Sequence, residues 1–94
     1  MLENQRLHPR QEIKIEVELR FLEEDPVTVI TRNVSQGGLF MCLNDPKRYT
    51  MGEMVSVQFK DPLNHFDDTH KDAIIVRHGD DGIAVAFIEI EGFQ

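Results

Sequence analysis

Two short stretches hold the residues best suited to binding chemistry. Residues 6–10 read Arg6-Leu7-His8-Pro9-Arg10, an R-x-x-x-R pattern with no acidic residue inside it. Each guanidinium is a planar fork of N–H donors that stays charged at any physiological pH, so the pattern makes a local cationic arm able to hold a small anion. Residues 33–38 read Asn33-Val34-Ser35-Gln36-Gly37-Gly38, an N-x-S-x-x-G pattern. Two readings of it stand side by side. Asn33 and Ser35 can bond the local backbone of a strand-to-strand turn while the glycines take positive φ. Alternatively, short polar groups and bare main chain are offered to a molecule that docks there. Asn33-Val34-Ser35 is also a formal glycosylation sequon, which a chain that stays in the cytoplasm never uses.

Other groups with chemical potential are weaker. Ser35, His78 and Asp80 have the types of a hydrolytic triad but not the sequence context of a nucleophile elbow. His65, Asp67, Asp68 and His70 lack a recognised ligand spacing and read as a solvated loop. No catalytic residue, metal or cofactor is therefore expected. Cys42 is the one cysteine and cannot form an internal disulfide; within the apolar run Leu39–Leu43 it reads as a buried, inert thiol.

Charge and length narrow the partners. The 94 residues make one domain with one modest core. A formal net charge of -7 argues against duplex nucleic acid, whose binding rests on many clustered Lys and Arg contacts. A barrel for single-stranded nucleic acid would display aromatic residues in a basic groove, whereas this chain has no Trp and one Tyr. No apolar run approaches the roughly 20 residues that span a bilayer, and residues 1–10 lack the apolar core of a secretory signal. The expectations are a cytoplasmic monomer with no membrane contact.

The elements that must position the two stretches follow from period-two alternation. Ile13, Ile15, Val17, Leu19 and Phe21 share one face of a first strand over 12–21, with Lys14, Glu16, Glu18 and Arg20 on the other. β-Branched residues mark a second strand over 27–32, and 39–43, 54–60 and 73–78 read as three more. Residues 61–70 carry the Pro, Asn and Asp of a connection. The Gly79–Gly82 turn leads into a sixth strand from Ile83, whose two faces are both apolar enough for one of them to meet another element. No helical period is present. Six short strands with brief turns predict an all-β, six-stranded antiparallel barrel over 12–91, preceded by an N-terminal ligand-binding arm over 1–11 and followed by little or no C-terminal helix. The arm has few apolar groups to bury and is expected to be mobile without ligand. One hairpin separates the two motifs, so the start of the first strand and the end of the second should bring them together.

R-x-x-x-R ahead of the first strand and N-x-S-x-x-G after the second resemble the PilZ domain family of bacterial cyclic di-GMP receptors. MGEMVSVQF at 51–59 and AIIVRHGDDGIAVAFIEI at 73–90 are similar to the family's middle strand and closing hairpin. The resemblance implies a receptor or adaptor, not an enzyme, acting in motility, exopolysaccharide synthesis or biofilm control through a downstream protein. It implies that Arg6 and Arg10 grip phosphate or guanine O6 and N7, that Asn33 accepts from guanine N–H groups, and that Ser35 donates to an oxygen. Gly37 and Gly38 would let the ligand approach the main chain, with His8 and Gln5 as further contacts. Gln5 stands where similar domains that hold a ligand pair carry another arginine, which favours one ligand per site. The alternative is a divergent PilZ-like scaffold that binds only protein.

Overall fold

The computed structural model describes residues 12–21 and 23–88. Six strands, β1 (Glu16–Phe21), β2 (Val27–Ser35), β3 (Gly38–Cys42), β4 (Met54–Asp61), β5 (Asp67–His78) and β6 (Gly82–Phe87), close into an antiparallel barrel. The order around it is β1-β2-β3-β6-β5-β4, with β4 returning to β1. Closure leaves no strand with an unpaired edge, which is how a small sheet with apolar strands avoids pairing with other chains. Pro46–Arg48 forms a single 3-10 turn, and none of the described residues is in an α-helix. No described helix is long and apolar enough to cross a membrane.

The alternation read from the sequence builds the core. Val17 and Leu19 of β1, Val55, Val57 and Phe59 of β4, Ala73 and Ile75 of β5, and Ile83 and Val85 of β6 all point inward and are buried. Burying each of the larger side chains contributes about 1.5–3 kcal/mol, offset by the entropy of ordering the chain.

Three strands differ from the expected bounds by more than one residue, each for a local reason. The first strand pairs regularly only from Glu16, because the side chain of Thr31 takes over the bonding of residues 13–15. Thr31 Oγ1 donates to the Ile13 carbonyl at 2.6 Å and accepts from the Ile15 amide at 3.0 Å, while the Thr31 amide donates to the Ile15 carbonyl at 3.0 Å. β2 runs three residues past Arg32, so Asn33 and Ser35 belong to a strand and the turn shrinks to Gln36 and Gly37. β5 begins at Asp67 rather than Ala73, and the expected loop over 61–70 contracts to 62–66. Polar cross-strand pairs stand in for apolar ones there: Lys60 with Asp68 at 2.7 Å, and Ser56 with His70 at 3.3 Å. Cys42 is also corrected. It is half-buried on the outer wall, opposite Ile30 and Gly82, because Leu39 and Met41 take the inward positions of β3.

Thr31 is fully buried, and its hydroxyl is the partner of two main-chain groups that have no ladder bond of their own. Thr31→Val keeps the shape and removes both bonds. We expect it to lower stability by about 1–3 kcal/mol in urea unfolding, with an unchanged m-value. A midpoint equal to that of the parent chain would show that the Ile13–Ile15 segment does not depend on this side chain.

Candidate functional site

Asn33 and Ser35 face outward together because of one extra residue. Thr31 pairs with Met41 and Asn33 with Phe40, so Arg32 is a bulge with no partner of its own in β3. Without it, Asn33 would continue the alternation into the core. With it, Val34 takes the inward slot at 1% exposure, and Asn33 and Ser35 lie half-buried on the outer wall opposite Phe40 and Gly38. The bulged Arg32 folds over this wall. It pairs with Asp81, and its guanidinium lies 4.8 Å from the centre of the Phe40 ring.

The turn that follows is held by its own polar groups. The Gly37 amide donates to Ser35 Oγ at 3.3 Å, and Ser35 Oγ lies 3.3 Å from the Gly38 carbonyl, to which it donates. The Phe87 amide of β6 donates to the Gly37 carbonyl at 2.9 Å. Both Ser35 bonds are long, so the hydroxyl retains capacity for a stronger partner. Neither Gly37 nor Gly38 has positive φ, which corrects the turn reading of the pair. Gly38 is needed for close approach instead: a Cβ there would overlap the Val85 carbonyl oxygen and come within 3.2 Å of the Ala86 Cα.

A depression of about 730 Å³ opens at this end of the barrel, lined by Ser35, Gln36, Gly37, Asp61, Lys71 and Phe87 among others. That volume suits one small-molecule ligand. Its apolar floor includes Phe59 and Phe87, stacked with centroids 6.1 Å apart and planes at 17°. Lys71 Nζ lies 5.5 Å from the Phe87 ring centre. Asn33 does not line the depression; it faces the adjoining outer wall. Arg6, Arg10, His8 and Gln5 lie outside the described residues.

Sequence reasoning missed Lys71 and Arg32. Lys71 follows the inward phase of Ala73 and Ile75, a signal hidden once residues 61–70 are taken as a loop. Arg32 adjoins the motif, but nothing in its spacing marks the bulge. The imagined triad is not assembled, since Ser35 sits beside the β2–β3 turn while His78 and Asp80 sit at the opposite end of the barrel. His78 bonds the Tyr49 carbonyl instead. Extending β5 to Asp67 also dissolves the His65, Asp67, Asp68 and His70 loop, and no cluster of three metal-ligating side chains exists among the described residues.

The described residues thus form a closed six-stranded antiparallel barrel in which a bulge turns the polar end of β2 outward. The chain belongs to the PilZ domain family, whose sequence pattern matches residues 4–92. Its fold is similar to that of the Bacillus subtilis inhibitor of motility MotI/DgrA, with a TM-score of 0.74 and 19% identity over 94% of this chain. The chain spans 44% of that protein's length. It is also similar to the PilZ domain of CeSA from a cellulose-synthesizing bacterium, with a TM-score of 0.66 and 24% identity over 87% of this chain and 83% of that one. No curated protein sequence matches the chain.

Proposed function

We propose that this domain is a receptor for cyclic di-GMP that binds the nucleotide without hydrolysing it and signals through a partner protein. The observation that carries the reading is the outward placement of Asn33 and Ser35 beside the Thr31 anchor of residues 13–15. Arg10 is three residues before Ile13, which Thr31 anchors, and three residues span up to about 11 Å, enough to reach toward Asn33. Asn33 then accepts from guanine N1–H or N2–H, and Ser35 exchanges its long turn bond for a phosphate or base oxygen. Arg6 and Arg10 fork onto phosphate oxygens or onto guanine O6 and N7, and also stack on purine faces. His8 and Gln5 add contacts at the arm's edge.

The ligand draws residues 1–11 onto the barrel and so creates a surface made partly of nucleotide, which the partner reads in the cytoplasm. Ordering about six residues costs several kcal/mol at roughly 1–2 kcal/mol each, which holds the affinity below the sum of the contacts. Motility, exopolysaccharide synthesis and biofilm control are the processes such a receptor would serve.

NMR relaxation tests the reading. Amides of residues 3–10 should show low order parameters in the free chain and rise toward about 0.85 on saturation with cyclic di-GMP, while strand amides change little. An arm whose order parameters are the same with and without ligand would contradict the switch. Asn33→Ala and Ser35→Ala should each weaken binding about tenfold, for the loss of a hydrogen bond of about 1–1.5 kcal/mol, and leave the fold intact by circular dichroism. Parental affinity in the double variant would refute the site.

A further inference from the structure

One row on the outer wall of β4, β5 and β6 is apolar, on a barrel exterior that is otherwise largely polar. Met54, Ile74 and Ala86 are register partners, so they form one row across three strands, all on the outward phase. Met54 is 55% exposed, and Ile74 and Ala86 are half-exposed. A second bulge, between Ile75 and Arg77, adds Val76 to the same wall at 49% exposure. Met51, at 55%, adjoins it from the turn that bonds to Ile75. Apolar side chains concentrated in this way mark a contact surface rather than scattered exposure.

The charges around the row indicate what covers it. Asp72 and Arg77 are exposed, lie on β5 to either side of Ile74, and neither side chain has an ion pair among the described residues. They stand about 13 Å apart along the strand, two register steps to either side of Ile74, because the bulged Val76 adds a residue without adding a step. A two-fold axis lying along the Met54–Ile74–Ala86 row exchanges the two ends of β5. It sets each apolar residue of the row against its own copy, and Asp72 of one chain against Arg77 of the other. A patch that is apolar at its centre and carries opposite charges at equal distances from it is self-complementary, as an isologous interface requires. We infer that the outer face of β4, β5 and β6 binds a second copy of this chain, in place of the monomer expected from the sequence.

Sedimentation of the chain without nucleotide tests this. The parent chain should show a dimer mass that dissociates on dilution. Asp72→Arg and Arg77→Asp should each raise the dissociation constant about tenfold or more by setting like charges together, and the double exchange should restore it to within about threefold. Circular dichroism melts establish that each variant is folded. A position on the axis supplies a second readout that needs no charge change: Ile74→Cys in a Cys42→Ser background should cross-link to its own copy with a short bis-maleimide. A monomer mass at every concentration, a dimer indifferent to the single reversals, or a double exchange that fails to recover would each overturn the proposal.

Discussion

Replacing both Arg6 and Arg10 with alanine is expected to weaken cyclic di-GMP binding by about 100-fold or more while the melting temperature hardly moves. Each arginine makes a charge-assisted, bidentate contact worth roughly 1.5–3 kcal/mol, and the two contacts fall on one ligand. The described core is complete without them: the inward faces of all six strands fill the barrel from residues 17–85. Lysine at either position would restore the charge but not the fork, so Arg10→Lys should recover only part of the affinity. Calorimetry and thermal melts on the same samples separate the cases. A variant that melts far below the parent chain yet binds normally would mean that these arginines support the fold.

The second large effect concerns the fold itself. Gly38→Val should destabilise the domain by about 3 kcal/mol or more, lowering the melting temperature by about 12 °C or more. The first atom of any side chain at this position overlaps the Val85 carbonyl oxygen, which is main chain and cannot rotate away. Relief requires β3 and β6 to separate at the Gly38 and Ala86 pair, breaking the barrel where it closes between strands distant in sequence. A total stability of about 5–15 kcal/mol leaves little room for such a loss. A melting temperature within a few degrees of the parent value would show that the close approach is not needed, and that Gly38 serves the ligand alone.

The strands with alternating apolar residues were legible because one face of each is buried. Val17 and Leu19, Val55 and Val57, and Ile83 and Val85 all point inward as the period predicts. The start of β5 was hidden because residues 67–72 lie at the barrel mouth, where charged and polar side chains remain solvated and cross-strand pairs such as Lys60 and Asp68 replace apolar burial. Closure was legible only as a type. That β1 joins β4 and β3 joins β6 depends on contacts between strands far apart in the chain, which alternation within one strand does not encode. The N-x-S-x-x-G stretch was found by its residue types, but its geometry was not. Whether Asn33 faces the core or the solvent turns on the single bulged residue Arg32, and a two-against-one count across a ladder is invisible in the sequence of either strand. The glycines were read as turn formers, whereas Gly38 is set by a neighbouring backbone, again a non-local cause.

Titration calorimetry of the purified domain against cyclic di-GMP, with cyclic di-AMP and GMP as controls, bears most directly on the receptor reading. Guanine offers O6 and N7 as acceptors for an arginine fork and N1–H and N2–H as donors to Asn33. Adenine replaces the O6 acceptor with an amino group and lacks the N2 donor. Saturable binding of one cyclic di-GMP per chain is expected, with binding of cyclic di-AMP weaker by at least about 100-fold and weak or undetectable binding of GMP, which has one phosphate and one base to share among the same groups. No heat with cyclic di-GMP, or equal affinity for cyclic di-AMP, would contradict it.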